Sequence, residues 1–78
     1  MKKSEENILL FLDTADERFK YARYISVKLN IDYSYLIGLL SNLKHKGYIS
    51  PVRRGNRVFY KTKSLGIDKV NKIKEQRI

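Results

Sequence analysis

The sequence of 78 residues contains no cysteine, a single proline and a single histidine. Without cysteine, the chain has neither a disulfide framework nor a thiolate metal site. Its longest apolar run, Ile8–Leu12, is far shorter than the roughly 20 residues needed to cross a membrane, and no signal peptide with a small-residue cleavage site is present. We therefore expect a cytoplasmic protein with no membrane partner. The abundance of Lys, Ile, Asn and Tyr is typical of AT-rich prokaryotic or viral genomes.

The middle of the chain lacks acidic side chains altogether. Residues 1–32 contain six basic and six acidic residues, whereas residues 33–63 contain seven lysines and arginines and no Asp or Glu. The formal net charge of the whole chain is +9. A segment of one charge sign repels itself unless a polyanion lies against it, and nucleic acid is the most common such partner. The charge pattern therefore favours nucleic-acid binding over an anionic membrane surface or a basic face that only confers solubility.

The residue types that catalytic and metal sites need are scarce. The only histidine, His45, stands beside lysines and has no cysteine or second histidine with which to share a metal ion. No glycine-rich phosphate-binding loop is present. We predict a protein that is not an enzyme and that uses no metal and no cofactor. We also expect no site for a small-molecule ligand, because no additional domain in which to bury one is evident in these residues.

Length and composition predict one folded domain. Domains usually contain about 50 to 250 residues, so residues 1–78 are expected to form a single unit with a thin core. Hydrophobic residues make up 42% and charged residues 32% of the chain. These fractions are typical of a folded soluble chain and not of a disordered one.

Two helices are predicted in the first thirty residues. Ser4 is the expected N-cap of a first helix whose apolar stripe is Ile8–Leu12. A second helix is predicted from about Ala22 to Leu29, followed by Asn30, which tolerates the left-handed conformation found after many helices. Between the two helices, Arg18–Tyr21 alternates polar and aromatic residues, which favours a short edge strand.

A third helix, Tyr33–Lys46, has the clearest pattern in the chain. Asp32 is its predicted N-cap, and Gly47 is its predicted C-terminal stop after a cationic last turn. Its core-facing side is predicted from four leucines that recur at the spacing of one helix face: Leu36, Leu39, Leu40 and Leu43.

A β-hairpin is predicted after this helix. Tyr48–Val52 is interpreted as an edge strand because it contains the only proline of the chain, which cannot donate to a central ladder. Arg53–Arg57 is the predicted turn, since its glycine and asparagine can adopt positive φ, and Val58–Lys61 is the returning strand. The hairpin would carry three arginines at its tip.

The last residues, about 64–78, predict a fourth helix. Ser64 or Asp68 is its expected N-cap. Its apolar stripe consists of Ile67, Val70 and Ile73, and Leu65 and Ile78 extend the apolar ends. A helix of this length is marginal on its own, so the stripe must pack on the domain or on a second copy of it.

Five segments of the sequence match one known pattern: Ile25–Asp32, Leu36, Leu40–Lys44, Lys46–Ile49 and Arg53–Tyr60. With them, the chain resembles the winged helix-turn-helix DNA-binding domain of small prokaryotic transcriptional regulators of the MarR and ArsR type. The resemblance implies an α+β fold, in which a three-helix core carries a β-hairpin wing and a C-terminal helix. It also implies that the third helix enters the major groove of double-stranded DNA.

The positions of the third helix that would then face the base edges are Tyr33, Ser34, Tyr35, Ile37, Gly38, Ser41 and Asn42. Only the asparagine can make a bidentate contact to adenine, because tyrosine and serine hydroxyls discriminate little between bases. The family often carries Arg, Lys or Gln early in this helix, and this chain does not. DNA binding is therefore a firmer expectation than strong sequence specificity.

Two positions in the third helix permit two interpretations each. Gly38 costs about 1 kcal/mol relative to alanine in mid-helix. It would allow either close approach of the helix backbone to DNA or tight packing against the second helix. Ile37 would either contact a thymine methyl group or complete the core.

Further cationic and polar side chains are predicted to contact the DNA backbone or to enter its narrow minor groove. On the wing these are Arg53, Arg54, Asn56 and Arg57. Elsewhere they are Lys44, Lys46, Lys61 and Lys63, for which solvated charge is the alternative.

These observations predict a sequence-preferring regulator of transcription that binds double-stranded DNA. A homodimer joined through the terminal helices is expected, because two half-sites double the few contacts that one small domain makes. The alternatives are a winged-helix module that docks an acidic protein and an architectural protein that coats DNA without sequence preference. The six tyrosines also permit stacking on single strands, although Tyr48 and Tyr60 are better explained as hairpin residues that pack on the third helix.

Overall fold

The computed structural model describes residues 1–77 and confirms the predicted α+β architecture. Four α-helices and one antiparallel hairpin follow one another along these residues. In chain order they are α1 (Lys3–Thr14), a 3₁₀ turn (Glu17–Phe19), α2 (Ala22–Lys28), α3 (Tyr33–His45), β1 (Ile49–Arg54), β2 (Arg57–Thr62) and α4 (Ser64–Gln76).

The core forms where the four helices and β1 meet. All four leucines of the predicted α3 stripe are buried, which confirms that face of the helix. Each fully buried aliphatic side chain contributes about 1.5–3 kcal/mol relative to an exposed one, so these residues provide much of the stability of a small domain. The other buried members are Ile8, Leu9, Leu12, Ile25, Ile49, Val70 and Ile73.

The helix α4 packs against its own chain. Its buried side faces the core with Val70 and Ile73, and its far end is tied to α1 by a Lys74 Nζ–Asp13 Oδ2 ion pair of 2.8 Å. The predicted stripe is wrong at Ile67, which is 47% exposed. Helical spacing brings a glycine to the buried side in its place. The predicted apolar end at residue 78 lies outside the described residues.

That glycine is Gly66, whose neighbourhood explains why no larger residue stands there. A Cβ atom at this position would collide with the Tyr48 carbonyl oxygen and the Thr62 methyl group. The start of α4 therefore lies directly against the chain segment that enters the hairpin. This contact fixes where the hairpin emerges from the core.

The predicted helix caps are correct for α3 and wrong for α1 and α4. The Asp32 carboxylate accepts a hydrogen bond of 3.3 Å from the Tyr35 amide. The N-cap of α1 is Lys2, whose amide donates to Glu5 at 3.3 Å, so Ser4 already lies inside the first turn. The N-cap of α4 is Lys63, whose side chain forms no capping hydrogen bond. Its extended backbone lets the helix begin directly after β2, so Ser64 and Asp68 both lie within the helix.

The connection between α1 and α2 is mostly a turn and not the predicted edge strand. Glu17–Phe19 forms the 3₁₀ turn, because Asp16 accepts the Arg18 amide and stabilises a tight start. Only Tyr21 pairs with the hairpin, through an isolated bridge to Phe59. Asn30, which follows the C-cap residue Leu29 of α2, has φ of 54°, as its left-handed tolerance predicts.

The hairpin is longer and its turn shorter than predicted. The ladder runs from the Ile49–Thr62 pair to the Arg54–Arg57 pair, and only Gly55 and Asn56 form the turn. With φ of 62°, Gly55 adopts the left-handed conformation that a tight hairpin turn needs. The arginines expected in a turn therefore belong to the ends of the strands, where the ladder holds their backbone.

Candidate nucleic-acid interface

The outward face of α3 is lined by small side chains. All seven predicted base-facing residues of this helix are exposed. The helical repeat of 3.6 residues places Ser34, Gly38 and Ser41 directly opposite the buried leucines. A flat surface of this kind lets the helix backbone approach another surface closely.

Larger side chains border this flat face on its two sides. Tyr33 and Ile37 lie on the side toward the hairpin. Tyr35 lies on the opposite side, where Lys2 Nζ is 5.6 Å from its ring centroid. By helical spacing Asn42 shares that second side, so the one side chain capable of bidentate base recognition lies away from the wing.

The structure decides between the two interpretations at each ambiguous position. A Cβ atom at Gly38 would meet no atom within 4 Å, so tight packing against α2 is wrong as a reason for this glycine. Ile37 is 40% exposed and does not complete the core. Both residues remain available to an outside partner.

A groove of about 480 Å³ separates α3 from the wing and opens to solvent. One wall carries side chains of α2 and α3, and the other carries the tip and the second strand of the hairpin. Burial, followed by the neighbouring Tyr33, raises the pKa of the Tyr60 phenol above its ordinary value, so this hydroxyl stays protonated near neutral pH. The lining residues are Tyr21, Ala22, Arg23, Tyr33, Ile37, Asn56, Arg57, Val58 and Tyr60.

The three wing arginines do not share one face of the hairpin. Paired residues of an antiparallel ladder point to the same side, and successive pairs alternate. Arg53 therefore shares its side with Val58, a lining residue of the groove. The ladder places Arg54 and Arg57 on the other side, where Arg54 contacts the Phe59 ring. Arg57 stands next to the turn, and its side chain nevertheless lines the groove and contacts the Tyr21 ring.

These two arginines differ in their surroundings. Arg57 lies with its Cζ atom 4.0 Å from the ring centroid of Tyr21. Arg54 Cζ lies 6.0 Å from the ring centroid of Phe59, and Arg54 Nη2 lies 3.9 Å from Glu17 Oε2. An exposed ion pair of this length contributes little, so Arg54 can exchange that carboxylate for another anion at small cost.

The predicted lysines lie away from the groove. Lys46 Nζ is 3.6 Å from an oxygen of Glu5, which is almost fully buried, so this lysine serves as the counterion of a buried carboxylate. Lys44 is exposed in the last turn of α3. Lys61 shares the hairpin side of Val52 and Phe59, which faces away from α3.

Sequence reasoning missed five residues that line the groove: Tyr21, Ala22, Arg23, Val58 and Tyr60. Arg23 stands in the first turn of α2, where the helix dipole disfavours a cation and no acidic residue is present. That local conflict is a signal for a functional position. Tyr21 carried no such signal, because only the fold brings it next to the tip of a hairpin that begins far along the chain.

Within residues 1–77 there is no cluster of three or more His, Cys, Asp or Glu side chains that could hold a metal ion. None of the helices formed by these residues is long and apolar enough to cross a membrane.

Helices α2 and α3, the turn between them and the two-stranded wing define the winged helix-turn-helix fold. Comparison with solved structures supports this assignment. MepR, a transcription regulator of the multidrug efflux pump MepA of Staphylococcus aureus, superimposes with a TM-score of 0.89 at 18% identity, over 96% of this chain and 56% of that one. A MepR–DNA complex superimposes with a TM-score of 0.87 at 18% identity, over 95% of this chain and 57% of that one.

A MarR-family transcriptional regulator from Rhodococcus sp. RHA1 superimposes with a TM-score of 0.86 at 14% identity. That match covers 96% of this chain and 54% of the regulator. The chain thus spans little more than half the length of these proteins. No family model matches the sequence, and no curated protein matches it. The predicted winged-helix fold is confirmed.

Proposed function

We propose that the chain binds double-stranded DNA and regulates transcription, with α3 in the major groove and the wing on the backbone or minor groove. The observation that carries this proposal is the placement of the acid-free segment. Residues 33–63 fold into α3 and the wing, so the exposed flat face of α3 and the three wing arginines belong to one continuous part of the fold. The likeness to a structure solved with DNA supports the same function.

In this proposal affinity and specificity come from different residues. Arginines of the wing and of α2 neutralise phosphates, which stabilises binding to any duplex. Base recognition depends on Asn42, on tyrosine hydroxyls and on contact of Ile37 with a thymine methyl group. The small residues of α3 contribute by letting the helix lie deep in the groove. Sequence preference is therefore expected to be modest.

The first test measures duplex binding by fluorescence anisotropy over a series of salt concentrations. With about four arginines engaged, the logarithm of the binding constant falls against the logarithm of salt concentration with a slope of roughly −3 to −4. Arg54→Ala combined with Arg57→Ala weakens binding to random and selected duplexes alike, because these side chains meet phosphates. Absence of binding to any duplex at low salt overturns the proposal.

A matched control is Lys72→Ala. Lys72 is an exposed cation on α4, a helix that contributes no residue to the groove. The control loses one positive charge but no proposed contact, so its affinity stays close to that of the original chain. A loss as large as that of the wing variant indicates that net charge, and not the wing, determines binding.

The weak base-reading content of α3 specifically favours a second candidate, an architectural protein that binds DNA without sequence preference. Selection from a randomised duplex pool separates the two functions. A regulator enriches a motif, and a dimer enriches two half-sites at a fixed spacing of about ten base pairs or a multiple of it. An architectural protein enriches none.

A further inference from the structure

We propose that Tyr21 and Tyr33 hold Arg57 and Arg23 on opposite walls of the groove as a preformed clamp for the backbone of one DNA strand. This inference rests on the proposed function and adds residues to it. Arg23 and Arg57 are the phosphate-binding residues of the clamp. The two tyrosines are positioning residues that act through the arginines.

Two arginine–tyrosine contacts of the same kind occur within the groove. Arg57 Cζ lies 4.0 Å from the Tyr21 ring centroid, and Arg23 Cζ lies 5.2 Å from the Tyr33 ring centroid. All four side chains line the groove. One arginine belongs to the wing and the other to the first turn of α2, so a strand lying in the groove meets a guanidinium on each side.

Stacking on a ring suits an arginine to this task. The guanidinium is planar and carries its donors along its edge, so a ring against its face leaves the N–H groups available for a phosphate. An arginine side chain loses rotamer freedom when it is immobilised on binding. A side chain already held on a ring loses less, which favours the bound state.

Tyr21 is itself held firmly, which makes it a suitable support. Its backbone forms the isolated bridge with Phe59, and the two rings meet edge to face with centroids 5.7 Å apart. Beside it, the Tyr60 amide donates to the Lys20 carbonyl at 2.9 Å. The ring is therefore fixed to both α2 and the wing, and it sets the position of Arg57 relative to α3.

The rest of the lining matches the chemistry of a sugar–phosphate strand. No acidic residue lines the groove among the described residues. The protonated Tyr60 hydroxyl and the Asn56 amide supply uncharged donors for phosphate oxygens. Val58 supplies apolar surface of the kind that packs against a deoxyribose ring. An acidic peptide would match the arginines but would leave this apolar side chain without a regular partner.

The experiment compares Tyr21→Phe, Tyr21→Leu and Arg57→Ala in duplex binding over a salt series, each checked by thermal unfolding. Tyr21→Phe keeps the ring and binds as the original chain does. Tyr21→Leu removes the ring and weakens binding about fivefold to tenfold. Arg57→Ala weakens binding by at least as much and reduces the salt slope by about 1. In the Arg57→Ala background, Tyr21→Leu has no further effect, because the ring acts through the arginine.

Phe19→Leu is the matched control. Phe19 supports another arginine–ring contact, with Arg18 Cζ 5.0 Å from its centroid, but lies outside the groove. The Phe19→Leu substitution therefore leaves the affinity for duplex DNA unchanged. If Tyr21→Leu fails to fold, Arg57→Lys replaces it: this variant keeps the charge, loses the planar contact, and binds severalfold more weakly than the original chain.

Two results overturn the clamp. One is an unchanged affinity for duplex DNA in Tyr21→Leu, or in Arg57→Lys where that variant is used. The other is that Tyr21→Leu lowers the affinity equally in the original chain and in the Arg57→Ala background, which would show that the ring acts independently of the arginine. In both cases the unaltered chain still binds duplex. Failure of the unaltered chain to bind at low salt is a different result, and it overturns the proposed function.

Discussion

Glycine occupies two helices of this protein for opposite physical reasons. At Gly66 a Cβ atom would strike the Tyr48 carbonyl oxygen, so the position is closed by the fold itself. At Gly38 a Cβ atom would stand in open space on the outward face of α3. The fold does not require the second glycine, and its cost in helix propensity points to a partner that approaches the helix closely.

Gly38→Ala therefore separates stability from function. The substitution stabilises the isolated protein by up to about 1 kcal/mol, because alanine is the better helix former and meets no neighbour. The same methyl group weakens duplex binding if the helix backbone approaches DNA closely. Thermal unfolding and anisotropy titration measure the two effects.

The control for this pair of measurements is Gly66→Ala. Here the added methyl group has no room, and overpacking of this kind typically costs about 1–3 kcal/mol. A stabilised Gly38→Ala variant with unchanged DNA affinity would contradict the close approach that we propose for α3.

At the scale of elements, sequence periodicity was sufficient to identify a helix and its core-facing residues wherever one face of the helix is buried. The α3 leucines, Asp32 and Asn30 were identified correctly because helix spacing and cap chemistry are local properties. The Arg18–Tyr21 segment was misread since its conformation depends on Phe59, a partner far along the chain. The register of the ladder determines which side of the hairpin each arginine occupies. A prediction that places the arginines in a turn contains no register and therefore does not give that side.

The element whose role changed most is α4. Its apolar stripe was expected to pack on the domain or on a second copy, and it packs on the domain. Removing residues 64–78 therefore exposes the core around Val70 and Ile73, each of which contributes about 1.5–3 kcal/mol when buried. We expect this truncation to lose cooperative unfolding in a urea titration.

Arg77→Ala provides the comparison for the truncation. It removes the exposed ion pair of 3.3 Å to Glu6, which is worth about 1 kcal/mol or less, and an exposed hydrogen bond of 3.4 Å to Asn7 Oδ1. Cooperative unfolding is retained in this variant. A truncated chain that unfolds as sharply as the Arg77→Ala protein would show that α4 is not part of the core.

At the scale of the whole molecule, the homodimer through the terminal helices remains a proposal. Because the α4 stripe is used within the chain, two copies would meet through the sides of α1 and α4 that remain exposed. Leu65 and Ile67 are 57% and 47% exposed there. Helical spacing places them on different sides of α4, so they do not form one continuous apolar stripe.

Sedimentation equilibrium over a range of concentrations tests the dimer. Without a continuous apolar face, we expect weak association that duplex DNA with two half-sites reinforces. The predicted result is a mass that rises with concentration in the free protein and a stoichiometry of two chains per duplex. One chain per duplex at saturation on a selected site would refute the dimer.

The separation of charge along the chain affects how quickly the protein finds its partner. Acidic residues occur before residue 33 and after residue 63, while residues 33–63 carry only cations, so α3 and the wing hold most of the net positive charge. In the field of a polyanion this uneven charge orients the molecule before contact, and the cationic part arrives first. Added salt should therefore slow association more than it accelerates dissociation, because screening shortens the distance over which that orientation begins.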